Sequence, residues 1–195
     1  MRAIENLDIW LATFEKEATR RGATVLYAET AEQAAKLVVE IAKKHDVKKV
    51  IKSKSMVSEE ASLNQVLSEA GVTPVETDLG EYILQIKDNE PPSHIIAPAL
   101  HLNKDEVADL FAQVHGTPRK SVIEDMTREA REQLRGHFLS ADMGVSGGNF
   151  LVAETGSVAI VTNEGNGRMV TTLPPVHVAI TGIEKVVPTL EDLST

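Results

Sequence analysis

Apolar side chains recur along the first part of the chain with the spacing of a helix and then of a strand. Over residues 4–21 they stand three and four positions apart, which predicts an amphipathic helix that ends at Gly22. Residues 24–28 predict a short strand, after which Thr30 and Gln33 have the spacing of a capping box at the start of a second helix. The chain is therefore expected to begin with helix, strand and helix.

The next segment predicts a strand–helix–strand unit. A β-branched run over residues 47–52 predicts a strand, residues 57–70 predict a helix, and residues 73–76 predict the following strand. Strands that alternate with helices in this way are typical of a parallel sheet with helices on its faces. We therefore expect an α/β fold with a mainly parallel sheet.

A polar loop follows the strand predicted over residues 47–52. Ligands of parallel sheets bind at the carboxyl ends of the strands, beside the amino termini of helices. The loop residues at such a place are Lys52, Ser53, Lys54 and Ser55. A ligand-binding loop is one interpretation, and a solvated helix start that Ser55 caps is the other.

The middle of the chain adds further elements. Residues 82–86 fit a short strand or a turn of helix, and residues 93–98 predict a buried strand. Asn103 is expected to cap a helix, and Ser121 with Glu124 has the spacing of a second capping box. This part of the chain therefore predicts two helices after the parallel unit.

Glycine is concentrated in residues 144–168, which hold six of the twelve glycines of the chain. Glycine is used where the backbone needs a positive φ or must approach another group closely. Among these glycines, the apolar runs 150–153 and 158–161 predict two buried strands joined by a tight turn at residues 154–156. This hairpin is expected to contribute an antiparallel pair of strands.

A second, looser turn is predicted over residues 163–167. It is rich in glycine and asparagine and is followed by Arg168, so that it can present backbone amides and a positive charge to an anion. The alternative is a turn that binds no ligand and only reverses the chain.

Composition and charge narrow the class of protein. A chain of 195 residues with 42% hydrophobic residues fits one domain, which we expect to consist of an N-terminal helical arm (1–22) and a single core (23–195). The net charge of −9 and the lack of a basic run argue against nucleic acid and anionic membranes as partners. No apolar stretch approaches the roughly 20 residues that span a bilayer. Since the polar start does not suit a secretory signal, we expect a cytoplasmic protein.

The sequence contains no cysteine. This excludes disulfides, thiolate zinc sites and a cysteine-ligated iron–sulfur cluster from these 195 residues. The histidine spacing does not suggest a metal site either, and the three carboxylates in residues 76–81 can be metal ligands, an acid–base pair or simply solvated groups. Redox chemistry would therefore have to come from a bound cofactor or from another polypeptide.

Several segments of the chain carry a resemblance to a known family. They are residues 52–56 (KSKSM), 76–82 (ETDLGEY), 91–98 (PPSHIIAP), 144–161 and 163–168 (NEGNGR). Together and in this order they resemble the LUD domain family of the lactate utilization proteins, and most of all its iron–sulfur members. The resemblance implies a Rossmann-like fold similar to the glucosamine-phosphate isomerase, ribose-phosphate isomerase and CoA-transferase superfamily.

The resemblance also implies a function. Proteins of this family take part in oxidising L-lactate to pyruvate within a multi-subunit complex that contains iron–sulfur clusters, so other lactate utilization subunits are the expected partners. The iron–sulfur cluster is expected in a C-terminal region absent from this sequence, and no cofactor is expected in this chain. Within such a complex, the chain is expected to bind a small carboxylate.

Three functions stay open. The chain can bind or convert a small carboxylate or phosphate, or it can be a non-catalytic module that docks the redox subunits. An activity of the sugar-phosphate isomerase kind follows from fold similarity alone and is the weakest of the three. Redox activity of the isolated chain is not expected, because it has no cysteine and no G-x-G-x-x-G fingerprint follows a predicted strand.

We expect an anion-binding pocket where the loop 52–55 meets residues 154–155 and the turn 163–168. A carboxylate needs a fork of donors and a positive charge, and Arg168 supplies both in bidentate form. The other ligand-binding candidates are Lys52 and Lys54 as point charges and Ser53, Ser55, Thr155, Asn163 and Asn166 as neutral partners.

Glu154 is the candidate catalytic base of this pocket. It is the only carboxylate in the hairpin turn, and its placement resembles that of the acidic residue of CoA-transferase relatives. The alternative is that Arg168 pairs with Glu154 or Glu164 and only pins the two turns.

Overall fold

The fold is built around a parallel sheet. The computed structural model describes residues 5–94, 97–162 and 164–193. Its α-helices are α1 (Leu7–Arg20), α2 (Ala31–Lys44), α3 (Met56–Glu60), α4 (Leu63–Glu69), α5 (Leu79–Ile86), α6 (Lys104–His115), α7 (Ile123–Ser140) and α8 (Asn166–Thr172). Its strands are β1 (Lys49–Lys52), β2 (Thr73–Glu76), β3 (Met143–Gly147), β4 (Phe150–Val152), β5 (Ser157–Ala159), β6 (Val176–Ile180) and β7 (Val186–Val187). Short 3₁₀ helices follow at Ile183–Lys185 and Glu191–Leu193.

The main sheet has the spatial order β2-β1-β3-β6, and all of these strands run parallel. Successive side chains of a strand point to opposite faces, so the sheet has an apolar core on each side. On one face α2 and α4 pack against Val50 and Met143. On the other face α5, α6 and α7 pack against Ile51 and Val75. These two layers of helices confirm the predicted α/β fold with a mainly parallel, Rossmann-like sheet.

The predicted hairpin forms in a second, smaller sheet. β4 is antiparallel to β5 and parallel to β7, which gives the order β5-β4-β7. α1 covers this sheet with Phe14 and Ala18, which pack with Leu151 and Val186. The N-terminal helix α1 therefore packs against the smaller sheet that contains the hairpin. In the part of the chain that the structure describes, no helix is long and apolar enough to cross a membrane.

The caps predicted at Thr30 and Asn103 form, but the capping box predicted for Thr30 and Gln33 is incomplete, because the Gln33 side chain accepts a hydrogen bond from the Glu29 backbone N–H. The Thr30 hydroxyl accepts a hydrogen bond from the Gln33 backbone N–H at the start of α2. Asn103 caps α6, and the complete capping box includes the Glu106 side chain. Residues 82–86, which fit a strand or a helix, belong to α5.

The helix predicted over residues 57–70 is broken. It divides into α3 and α4 because Ser62 has a φ of 47°, in the left-handed region, which a right-handed helix cannot pass through. The strand predicted over residues 24–28 does not pair with another strand, and Val25 instead packs into the core beneath α1.

Two further local predictions differ from the structure. α7 begins after Val122 without a side-chain cap, so the capping box predicted at Ser121 is wrong. The buried strand predicted over residues 93–98 falls partly on residues 95 and 96, which lie outside the described residues. Ser93 and His94 beside them are exposed and not in a strand.

A buried polar network joins α5, α6 and α7. His115 lies between Tyr82 and Glu129, with Nε2 2.9 Å from the Tyr82 hydroxyl and Nδ1 2.9 Å from Glu129 Oε1. Thr117 donates to the same carboxylate, and Lys120 Nζ lies 3.0 Å from Glu129 Oε2. Burial raises the pKa of Glu129, but the hydrogen bonds from Thr117, Lys120 and His115 outweigh it and hold this pKa at about 2.

Replacement of Glu129 by Gln should therefore destabilise the protein in a pH-dependent way. The pKa of Glu129 is about 2 in the folded protein, against an ordinary value of 4.5. Its stabilising contribution is therefore complete above 4.5 and lost as the pH falls towards 2. At neutral pH we expect Glu129→Gln to lower the free energy of unfolding by about 2–3 kcal/mol, measured by urea denaturation.

The matched control is Glu132→Gln, since Glu132 is exposed on the same helix and has no ion pair among the described residues. A destabilisation by Glu129→Gln that stays constant between about pH 7 and about pH 3 would contradict the assigned pKa.

Candidate functional site

The order of the main sheet creates a crevice between β1 and β3. The chain passes from β1 to β2 on one side and returns to β3 and β6 on the other side. Ligands of open α/β sheets bind at such a switch point, outside the carboxyl ends of the strands. Here the Ser53 backbone N–H donates to the Val145 carbonyl oxygen at 3.0 Å. A Cβ on Gly147 would lie 3.1 Å from Ser55 Oγ, so the two strand ends are in close contact.

A cavity of about 530 Å³ lies at this point, and we name it the switch pocket. Its walls come from the loops after β1, β3 and β6, from residues 160–162 after β5, and from the first residues of α8. Its polar lining residues are Ser53, Lys54, Ser55, Asp78, Asn149, Thr162, Asn166, Thr181 and Lys185. Volumes of this order are typical of small-molecule sites.

Asp78 connects three parts of the switch pocket. It follows β2, and its Oδ2 atom accepts hydrogen bonds from the Lys54 backbone N–H at 2.7 Å and from Asn166 Nδ2 at 2.8 Å. Asn166 Nδ2 also donates to the Thr77 hydroxyl oxygen at 3.2 Å. The Asp78 carboxylate therefore fixes the loop after β1 and the start of α8 relative to the end of β2.

The positive charges of the switch pocket are Lys54 and Lys185. Lys54 Nζ lies 2.8 Å from Glu81 Oε1, while Lys185 is half exposed and its Nζ lies 3.8 Å from Glu184 Oε1. Nearby, partial burial and the charges of Asp78 and Glu81 raise the pKa of Glu164. The lining thus combines two ammonium groups with hydroxyl and amide groups, next to a set of carboxylates.

Of the residues predicted to bind a ligand, Ser53, Lys54, Ser55 and Asn166 line the switch pocket. Ser55 also caps α3, because its Oγ accepts a hydrogen bond from the Ser58 backbone N–H at 3.4 Å. Its hydroxyl hydrogen remains available to a ligand.

Lys52 points away from the switch pocket. Its Nζ donates to Glu76 Oε1 at 2.7 Å and to Asn64 Oδ1 at 2.8 Å, and its side chain is only 3% exposed. The Lys52 side chain lies on the same face of β1 as Val50, since residues two apart share a face. It lines a second cavity of about 730 Å³ together with Glu76, Glu81 and other residues, and we name this the second cavity.

The turn with Glu154 and Thr155 is not part of the switch-pocket lining. Glu154 Oε1 accepts a hydrogen bond from the Leu190 backbone N–H at 2.6 Å, and a Cβ on Gly156 would overlap the Ala18 backbone nitrogen. The tip of the hairpin is therefore packed against α1. The buried Thr155 hydroxyl has no hydrogen-bond partner among the described residues.

The turn predicted over residues 163–167 is replaced in part by α8, which begins at Asn166. Arg168 lies in this helix, is exposed, and is not among the lining residues. Neither Glu154 nor Glu164 forms an ion pair with it in the described part of the chain. Asn163 lies outside the described residues. The predicted ligand contacts of Lys52, Thr155, Asn163 and Arg168, and the predicted role of Glu154 as a base, stay predictions.

Five further polar residues of the lining were not predicted from the sequence as ligand contacts: Asp78, Asn149, Thr162, Thr181 and Lys185. Asp78 and Thr181 come directly after strands or one residue later, as Ser53 does. The rule that ligands bind at the carboxyl ends of strands, applied to every strand, would have found both. Lys185 carried no such signal because it reaches the pocket from a 3₁₀ helix.

A serine–histidine contact lies on the same sheet but outside the switch pocket. Ser146 Oγ is 2.8 Å from His177 Nε2, and burial lowers the pKa of His177. Ser146 is completely buried, so its hydroxyl is not accessible as a nucleophile. Within the described residues, no group of three or more His, Asp or Glu side chains has the arrangement of a metal site.

Comparison with known proteins gives a consistent family. The family model described as LUD domain matches residues 11–195. The chain is 48% identical over 190 residues to lactate utilization protein B of Shouchella clausii (strain KSM-K16) and 48% identical over 189 residues to that of Bacillus subtilis (strain 168). It is 47% identical over 190 residues to lactate utilization protein B of Geobacillus kaustophilus (strain HTA426).

These alignments cover 97% of this chain but only 40% of each relative. The chain thus spans less than half the length of the curated relatives that it matches. No solved structure matches the chain significantly.

Removal of the Asp78 carboxylate should loosen the switch pocket. Asp78→Ala leaves the Lys54 N–H and the Asn166 amide without their shared acceptor. We expect a loss of about 1–3 kcal/mol in the free energy of unfolding, measured by urea denaturation. Asp8→Ala is the control, because Asp8 is exposed and makes no hydrogen bond among the described residues. Equal stability of the two variants would show that Asp78 does not hold the loops together.

Proposed function

The chain belongs to the LUD domain family, and on this premise we propose that it binds the carboxylate of a small acid in the switch pocket. We further propose that it does so as part of a multi-subunit assembly that oxidises L-lactate to pyruvate. The observation that carries the first proposal is the position of Lys54 among hydroxyl and amide groups at the switch point of a parallel sheet.

The switch pocket offers the groups that a carboxylate requires. The Lys54 and Lys185 ammonium groups provide positive charge, and charged hydrogen bonds are roughly twice as strong as neutral ones. Ser53 has no side-chain hydrogen bond among the described residues, so its hydroxyl can donate to the ligand. Asn149 and Thr181 provide further polar groups for a 2-hydroxyl group.

The electrons of lactate oxidation must leave through a group outside these residues. Conversion of lactate to pyruvate releases two electrons and two protons, and the family implies iron–sulfur clusters as carriers, each of which would take one electron at a time. The residues of this chain do not fit such a cluster, because the sequence offers no cysteine thiolate. The proposed role of the chain is therefore to bind and orient the acid, while other lactate utilization subunits or domains carry the electrons.

The names of the relatives support the link to lactate. These relatives are called lactate utilization protein B, and the chain corresponds to 40% of each. Docking of the redox subunits without any ligand remains the competing function, and a titration separates the two.

Lys54→Met should weaken carboxylate binding. We expect the wild-type chain to bind sodium L-lactate or pyruvate in a calorimetric titration, and the variant to lose about 1.5–3 kcal/mol of binding free energy, the scale of a hydrogen bond to a charged group. Lys44→Met is the matched control, because Lys44 is exposed at the end of α2, which precedes the amino-terminal end of β1. If the wild type binds neither acid, the docking function is favoured instead.

The same titration on Arg168→Ala tests the role predicted for Arg168 from the sequence. A loss of about 1.5–3 kcal/mol in affinity with an unchanged melting temperature would indicate ligand contact. A lower melting temperature with unchanged affinity would indicate a structural role.

The isolated chain should not oxidise lactate. The test is lactate-dependent reduction of an artificial electron acceptor by the purified 195-residue protein. We expect no turnover above that of a sample without protein, because these residues cannot ligate an iron–sulfur cluster through cysteine. Turnover without an added subunit would contradict the proposed division of roles.

A further inference from the structure

Lys54 connects the switch pocket with the second cavity. The residue lines the switch pocket, whereas its ion-pair partner Glu81 lines the second cavity. The distance from Lys54 Nζ to Glu81 Oε1 is 2.8 Å. The positive charge proposed to bind the ligand is thus already engaged by a carboxylate of the protein.

The ion pair between Lys54 and Glu81 is partly accessible to solvent. The Lys54 side chain is 28% exposed and that of Glu81 is 13% exposed. Glu81 Oε1 is buried but makes no well-aligned hydrogen bond within the described residues, despite its short distance to the ammonium group. Partly exposed pairs of this kind contribute little stability, so an anion in the switch pocket can compete for Lys54.

Glu81 has several acidic neighbours. Burial and then the charge of Glu81 raise the pKa of Glu59 on α3, with a smaller contribution from Glu76. Glu81 also contributes, after burial and Asp78, to the raised pKa of Glu164. The nearby Lys52 is engaged by Glu76 and Asn64, so Lys54 is the cation in contact with the Glu81 carboxylate.

We infer that Glu81 is an internal competitor of the ligand for Lys54, so that anion binding in the switch pocket releases the Glu81 carboxylate from its ion pair. The inference rests on the proposed function, because it concerns the same pocket. Once Lys54 contacts the ligand, Glu81 lies near Glu59, Asp78 and Glu164 with a weakened counter-charge. The carboxylates then repel one another and the bound anion, so removal of the Glu81 charge should strengthen anion binding.

The experiment is a calorimetric titration of the 195-residue chain with sodium L-lactate, and separately with inorganic phosphate. Wild type and Glu81→Gln are compared in the same buffer at neutral pH. Glu60→Gln is the control for net charge, since Glu60 is exposed on α3 and has no ion pair among the described residues.

We expect Glu81→Gln to bind about two- to fivefold more tightly than wild type, which corresponds to the loss of a partly exposed ion pair. Glu60→Gln should behave as wild type. Glu81→Asp provides a second test that keeps the charge, because the shorter side chain withdraws from Lys54 and should also strengthen binding.

The outcomes separate the two proposals. If wild type binds an anion but neither Glu81 variant binds it more tightly, the inference is wrong and the proposed function stands. If neither wild type nor any variant binds either anion, the proposed function is wrong, and the inference about Glu81 is wrong as well. Binding by Glu81→Gln alone would support the competition at Lys54, while carboxylate binding by the wild-type chain would be wrong.

Discussion

The structure depends on how closely β3 is packed between its neighbours. A Cβ on Gly144 would overlap the carbonyl oxygen of Val170 in α8, and Gly147 approaches the side chain of Ser55. Any larger residue at Gly144 must displace the backbone of α8, which destabilises the folded state because the interior is densely packed. The concentration of glycine in this part of the sequence therefore has a definite cause. It allows α8 and the loop after β1 to reach the same end of the sheet.

The switch pocket is a consequence of this packing. Since β1 and β3 are adjacent and α8 lies against β3, the residues that follow these elements meet at one edge. Asp78 then joins the loop after β1 to the start of α8 through two hydrogen bonds. Residues far apart in the sequence thereby form a single polar site, which one continuous segment of the chain could not form by itself. The same geometry brings Glu81 to Lys54 and makes the charge of the site depend on its acidic neighbours.

The parts of the fold that are decided locally could be predicted from the sequence. The strand at residues 73–76 and the caps at Thr30 and Asn103 agree with their patterns because hydrophobic spacing and capping act over a few residues. The left-handed Ser62 was not predictable, because Ser carries no strong preference for that conformation. The surroundings of Lys52 and Glu154 depend on packing against Glu76 and α1, which are distant in the sequence. The predicted and the observed pocket lining therefore differ most at residues whose packing partners are remote in the sequence.

Under the proposed function, binding of the acid and transfer of its electrons take place in different parts of the assembly. The switch pocket supplies two ammonium groups and several neutral hydrogen-bonding groups, a combination that orients an acid but does not accept electrons. Under the proposed function, an electron acceptor would therefore approach the ligand from outside these residues. The pocket is bounded by residues 160–162 and by the start of α8, where Val161 is 71% exposed and Met169 is 38% exposed. Apolar side chains at the rim of a polar pocket are suited to contact with another protein surface. In this arrangement the acid would be held by the sheet and oxidised by a partner that covers the rim.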